Sequence, residues 1–453
     1  MEEEWAAREF TSVELGDPRR KKRLIEVAQQ RAKRPNASIA ASCGSWAATK
    51  AAYRLLDNEA VGAEAILEGH YQASIERARA EAIVLAVQDT TVLNYSQHPA
   101  TSGLGYLQDL QMQGMLVHST LLITPQRVPL GLIDQQVWVR DPAEYGQSKS
   151  TQRPSEAKES QKWTVSLLAT VRAQGQVGAT RLINVGDSEA DVYPLFYQAQ
   201  QVHQDLLVRA AYDRRVEHPQ GHLWAYLRQQ APAGEVRMEI AGNAEHPPRQ
   251  AHLVVRFAPL ALRPPQYAQK KHWERLALWG VLASETNPPE GQEAVEWLLI
   301  ANLPITSFQQ ATLCLDWYSC RWGIETYHKV LKSGCRVEQR QFGDADNLQR
   351  YLALDAVVAW RVLYLTMLAR AAPEQPCTIV FENHEWQALY VFHHHTPRLP
   401  DHVPSLRQAV GWIAALGGFL GRKSDGHPGP MSLWRGLQRL ADIADTWLLF
   451  HDP

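Results

Sequence analysis

The chain has 453 residues, with 46 Lys and Arg against 48 Asp and Glu and a formal charge of −2. A chain of this length is expected to form two to four domains or subdomains rather than a small stapled fold. Its balanced charge excludes the overall basic character that would by itself argue for nucleic-acid binding, so any such site must come from local charge. The five cysteines, Cys43, Cys314, Cys320, Cys335 and Cys377, form no CxxC or CxxxC pair, which argues against a disulfide framework and a structural zinc. The opening MEEEWAAREF lacks the basic-then-apolar order of a signal peptide and no run approaches eighteen apolar residues, so the chain reads as soluble and cytoplasmic, with no membrane partner.

Residues 1 to about 75 read as helical throughout, with helix formers in blocks such as RLIEVAQQRAKR and SWAATKAAYRLLDN. Asp17 is placed to cap a helix whose first residue is Pro18. The densest basic run of the chain follows, Arg19, Arg20, Lys21, Lys22 and Arg23, and the next turns add Arg31, Lys33 and Arg34. This run is the expected contact with DNA. From about residue 80 the pattern changes to short apolar runs, AIVLAVQD, LVHSTLLIT and VPLGLIDQQVWVR, which predict successive antiparallel strands. KWTVSLLATVRAQ then has helical spacing and TRLINVGD reads as a buried strand. Three strands, a helix, a strand and more helix fit a ribonuclease-H-like α/β fold, although periodicity leaves other α/β layouts open.

Between about 205 and 300 the chain again favours strands, broken by Pro-rich turns, and is expected to be a β-rich insertion. Helices resume near Tyr318, and NLQRYLALDAVVAWRVLYLTMLAR has the apolar density of a core helix. A His- and Pro-containing stretch from Pro373 carries His384, His393, His394, His395 and His402 and is expected to be an exposed loop. Three adjacent histidines cannot point at one metal from a regular element. PSLRQAVGWIAALGGFLGR and MSLWRGLQRLADIADTWLLF then predict two amphipathic helices. The expected layout is a helical domain over 1–75, an α/β domain over 76–372 and a helical domain over 373–453.

The chemistry concentrates between Tyr318 and Lys332. On one helix at about 100° per residue, Tyr318, Arg321, Glu325 and Lys332 fall at roughly 0°, 300°, 340° and 320°, a single stripe. Lys329 and Arg336 fall near it, at roughly 20° and 0°. Two further acids stand where strands are expected to end, Asp89 after IVLAVQ and Asp187 after TRLINVG. Each acid alone has a structural reading: Asp89 capping a QDTT turn, Asp187 capping a helix from Ser188, Glu325 pairing with Lys329. Together, three carboxylates and a cationic stripe point to phosphodiester chemistry with two divalent ions. Arg321 and Lys332 would hold phosphates on either side of the reacting bond, and Tyr318 another phosphate oxygen.

These residues resemble a family, the insertion-sequence-4 group of bacterial cut-and-paste DNA transposases, in its transposon-5-like branch. The resemblance rests on LGDPRR at 15–20, QDTT at 88–91, VHS at 117–119, GDSEAD at 186–191, TNPP at 286–289 and YSCRWGIETYHKVLKSG at 318–334. It spans nearly the whole chain, and the Tyr-Arg-Glu-Lys signature agrees in residue type and spacing. The resemblance implies that Asp89, Asp187 and Glu325 are the catalytic, metal-holding Asp-Asp-Glu triad of a ribonuclease-H-like core, with two Mg2+ ions for which Mn2+ can substitute. It implies that Trp297 stacks on a base flipped from the DNA, with Arg209 and Trp322 as neighbours of that site. It further implies an end-binding domain over residues 1–75, helical dimerisation at the C-terminus, and a homodimer that holds two transposon ends and target DNA in a synaptic complex, bacterial and nucleoid-associated, without a nucleotide cofactor. The reaction implied is nicking, hairpin formation and opening, and joining of the 3′-hydroxyl to target DNA. The alternatives are a nuclease of the same fold that does not join ends, and a non-catalytic DNA-binding regulator.

Overall fold

In the computed structural model, which describes residues 5–146, 159–240, 248–265 and 273–451, the N-terminal helices begin where their caps predict. After α1 (Trp5–Glu9), the side chain of Asp17 accepts from Arg19 N at 2.8 Å and Pro18 opens α2 (Pro18–Lys33). Ser38 and Ser45 cap α3 (Ile39–Cys43) and α4 (Trp46–Leu56) in the same way, since a hydroxyl at this position satisfies one of the orphan amides of the first turn. Helix α5 (Ala63–Ala78) closes the stretch.

The chain then enters β1 (Ile83–Asn94), β2 (Gly105–Tyr106), β3 (Gln113–Ile123) and β4 (Pro129–Trp138). Next come α6 (Gln161–Gln174), β5 (Arg181–Gly186), α7 (Tyr193–Gln201) and β6 (Asp205–Arg209). The stretch expected to be only strands contains a short helix, α8 (Leu223–Arg228), before β7 (Gly234–Ile240), β8 (Arg249–Leu262), β9 (Leu276–Glu285) and β10 (Glu296–Ala301). Helices α9 (Phe308–Ser319), α10 (Trp322–Lys329), α11 (Ala345–Ala371), α12 (Asn383–His394), α13 (Leu406–Leu416) and α14 (Pro430–His451) complete the chain.

Contacts divide these elements into two units, one of Met1–Ala80, Thr90–Lys149 and Gly323–Pro453, the other of Glu81–Asp89 and Ser150–Trp322. In the second unit, β1 and β5 pair in parallel from Ile83 to Val87, and β5 pairs in parallel with β6. Strands β10, β9, β8 and β7 continue from β6 in antiparallel order. Strand β6, which the pattern assigns to the start of the insertion, is thus the parallel neighbour of β5. Its Leu206 and Val208 are buried with Trp163, Leu167, Phe196, Leu282 and Ile300 in one apolar core. Parallel strands buried on both faces need such continuous apolar runs.

In the first unit, β3 pairs antiparallel with β4 and β2, and α5 and α11 lie against β4. Helix α11 is long and apolar enough to cross a membrane, but α2, α5, α13 and α14 pack around it, so burial accounts for its composition. Within it Asp355, fully buried, accepts from Arg31 Nε at 3.1 Å and Nη2 at 3.0 Å. Arg31 is therefore not the outward-facing cation that the basic run implies. Lys33 and Arg34 likewise pair with Asp445 (3.1 Å) and Asp442 (2.6 Å) of α14. His384, His393 and His394 belong to α12 rather than to a loop. A capping box between Glu382 and Glu385 opens that helix, local chemistry that overrides the irregular composition.

Candidate active site

Parallel pairing of β5 with β6 sets Gly186 opposite Val208, so Asp187, which follows β5, and Arg209, the last residue of β6, lie at the same sheet end. Asp187 leaves β5 as expected and caps a short 3-10 turn, Ser188–Ala190, accepting from Glu189 N at 2.9 Å. A side chain at Gly186 would place its Cβ 2.5 Å from that of Ala190, so only glycine allows the turn to fold back this tightly. Asp89 does not end a strand. It lies within β1, which continues through it to Asn94, and therefore caps no QDTT turn; it reaches the site from a strand interior by the alternation of the pleat.

Burial and the neighbouring Asp89 carboxylate raise the Asp187 carboxyl above its usual range, against the pull of Arg321. Two like charges held side by side favour a cation between them. Asp89 and Asp187 are hard oxygen donors suited to Mg2+, whose shell also keeps waters and substrate oxygens. Among the described residues no group of three or more His, Cys, Asp or Glu is placed to hold a metal ion.

Beside the pair lies a cationic and aromatic cluster in the same unit. Tyr318, only 2% exposed, is hydrogen-bonded by Arg209 and Arg321, and its hydroxyl pKa is raised, first by burial. The Arg321 guanidinium carbon lies 5.8 Å from the Tyr318 ring centre and 5.9 Å from that of Trp322. Trp297, on β10, meets Tyr318 edge to face at 5.2 Å, while Trp322 is 51% exposed. Trp297 is only half-buried, so it is not simply a strand core residue. Arg209, Trp297, Tyr318, Arg321 and Trp322 thus form one group around a buried phenol.

The single helical stripe is not what the chain builds. Helix α9 ends at Ser319, Cys320 and Arg321 form a turn, α10 runs from Trp322 to Lys329, and Val330–Gly334 is a π-helical turn. Both interruptions break the 100° rule, and Arg336 stands outside any helix with φ of 54°. Glu325 and Lys329 are exposed on α10. Lys332, in the π turn, donates to Val92 O at 2.8 Å and faces Glu338 at 3.6 Å.

The basic run on α2 stays at the surface, four of its five cations engaged in short-range contacts. Arg19 pairs with Asp17, Arg20 donates to Leu15 O at 2.8 Å, Lys21 donates to Thr11 O, and Arg23 pairs with Glu26 at 2.7 Å; Lys22 is exposed. The reading by composition passed over α4, where Trp46 (79% exposed), Lys50, Tyr53 and Arg54 share one outward face. Their offsets of four, seven and eight residues are the helical signal that marks it.

Two family models match the chain at its two ends. One, described as transposase DNA-binding, covers residues 2–61, and the other, the transposase Tn5 dimerisation domain, covers residues 357–447. The first takes in α1 to α4 and the second the end of α11 through most of α14. The stretch of sequence that carries Asp89 and Asp187 thus lies between matches to a DNA-binding and a dimerisation module of transposases, and these matches support a Tn5-like transposase of the insertion-sequence-4 family.

Proposed function

We propose that this transposase cuts and joins DNA at the Asp89–Asp187 pair. The supporting observation is the juxtaposition of two carboxylates, Asp187 raised in pKa first by burial and then by Asp89, with the Arg209–Tyr318–Arg321 cluster. Divalent ions held by Asp89 and Asp187 would supply activation of the attacking oxygen and neutralisation of the phosphate, and Glu325 is taken as the third ligand on the strength of its Tyr-Arg-Glu-Lys signature alone. The chain's own groups do the rest. Arg321 and Arg209 offer bidentate donors to phosphate oxygens, and both are released for that role if phosphate displaces the Tyr318 hydroxyl. Trp297 and Trp322 offer aromatic faces to a base removed from the helix. Lys329, Lys332 and Arg336 add cations along the segment that follows Glu325. The DNA end is bound through the α2 run Arg19, Arg20, Lys21, Lys22 and Arg23 together with the exposed face of α4. The full reaction is nicking at the transposon end, hairpin formation and opening, and transfer of the 3′-hydroxyl to target DNA within a dimer holding two ends.

The test is cleavage of end DNA from inverted repeats flanking the gene, in Mg2+ or Mn2+, by wild type, Asp89→Asn and Glu325→Ala, resolved on a denaturing gel. Wild type should give nicks, hairpins and joined products, and both variants should bind and leave the DNA intact. Nicks without joined products would reduce the reading to a nuclease. Specific binding without cleavage by wild type would make the protein a regulator.

A further inference from the structure

Asp191 ends the turn that Asp187 begins, and it is fully buried. Its carboxylate does not point to the acidic pair's chemistry but gathers the loop that follows β6. One oxygen accepts from Ala211 N at 2.8 Å and Tyr212 N at 3.0 Å, and the other accepts from Arg214 Nε at 2.6 Å. Arg214 also donates to the Asp191 carbonyl. A buried carboxylate with three donors is a rigid fixture, since losing any of them leaves charge unpaired out of water. Because β5 and β6 run parallel and in register, this fixture ties the residues after Arg209 to the turn of Asp187, at the strand ends where α/β sheets receive ligands.

The fixture holds up an aromatic ring that the protein does not cover. Tyr212 is 62% exposed, and the Arg214 guanidinium carbon stands 5.5 Å from its ring centre. A single exposed aromatic is ordinary, but here the backbone is held on both sides of it, by Asp191 at Ala211 and Tyr212 N and by Arg214 N at the Tyr212 carbonyl, so the ring is presented from a fixed position. The surroundings identify the occupant. Arg209 is a cation suited to a phosphodiester backbone, and the Tyr212 ring with the Arg214 guanidinium beside it suits a stacked base.

Resting on the proposed cleavage at Asp89 and Asp187, we infer that Tyr212 is a stacking contact for an unpaired base of the DNA strand that enters this site, and that Asp191 and Arg214 are its positioning residues. Tyr212 is separate from the Trp297–Tyr318 cluster and would engage a different nucleotide.

The experiment compares full-length wild type, Tyr212→Ala, Tyr212→Phe and Asp89→Asn on end DNA, and on a set of ends each carrying one abasic position near the scissile phosphate. Tyr212→Ala should slow cleavage of intact ends about tenfold, the scale of one lost stack, with Tyr212→Phe restoring the rate. One abasic position should slow wild type equally and erase the difference between wild type and Tyr212→Ala. Asp191→Asn should reproduce the Tyr212→Ala loss and add nothing to it in the double variant; additive losses would overturn its positioning role. Wild-type rates for Tyr212→Ala on every end, with Asp89→Asn inactive, would overturn the stacking inference alone. An Asp89→Asn protein that cleaves like wild type would overturn the active-site reading and this inference with it.

Discussion

His70 shows how one buried group fixes its own protonation. Its Nε2 accepts from Leu132 N at 2.9 Å, so that nitrogen carries no proton, and Nδ1 faces Glu9 Oε1 at 2.5 Å. The ring is therefore neutral and burial lowers its pKa below the ordinary 6.5, leaving Arg77, at 2.8 and 2.9 Å, as the charge that compensates Glu9. Burial alone would raise the Glu9 carboxyl, but Arg77 and His70 hold it at about 2, against 4.5 ordinarily. Both shifts have one sign: the unfolded chain binds more protons, so stability is complete above about pH 6.5 and falls on acidification. The Glu9 part, on the order of 3 kcal/mol, should disappear between roughly pH 5 and 2. Denaturant titrations against pH should show this slope in wild type and its loss in Glu9→Gln; parallel profiles would refute the assignment. A second residue follows similar logic without a pH readout. Asp355→Ala would leave the fully buried Arg31 without its counter-ion, at a cost of about 3–5 kcal/mol, measurable as a fall in the denaturation midpoint.

At the scale of elements, the proposed DNA face of α4 makes a testable contrast with the engaged cations of α2. Lys50→Ala and Arg54→Ala should each weaken binding of end DNA and reduce the salt dependence of binding by about one counterion. Lys33→Ala, whose cation is held by Asp445, should leave that slope unchanged. Fluorescence anisotropy over a range of salt concentrations reads both, and equal slopes for all three would remove α4 from the interface. The contrast marks what the sequence made legible. The Asp17–Pro18 cap, the β5 strand and the amphipathic α13 and α14 follow from local rules, since caps, short apolar runs and helical periodicity are decided within a few residues. Partners more than a hundred residues away decided the rest. Arg31 is buried because Asp355 lies on α11, and Lys33 is engaged because Asp445 lies on α14. Asp89 sits mid-strand because β1 continues beyond its apolar run. The site was half legible for the same reason: residue types near Asp187 and Tyr318 point to phosphate chemistry, whereas the π turn at Lys332 and the clamp of Asp191 on the Tyr212 loop are tertiary outcomes without a periodic signature.

For the whole molecule, association follows from what one copy leaves uncovered. The dimerisation match ends at residue 447, and just beyond it α14 carries Leu449 and Phe450 at 80% and 78% exposure. Trp447 stacks on His451 with ring centres 3.6 Å apart, which orders the helix end without covering those two side chains. Burying a Leu or Phe is worth about 1.5–3 kcal/mol, and a symmetric pairing uses each residue twice. Leu449→Asp with Phe450→Asp should therefore weaken self-association at least about a hundredfold while leaving single-end DNA binding unchanged, because α4 is untouched. Sedimentation velocity with and without end DNA distinguishes the cases. A protein still dimeric at micromolar concentration would place the interface on the earlier turns of α14 or on α13, and loss of DNA binding in step with dimerisation would mean that one end is bound by residues from two copies.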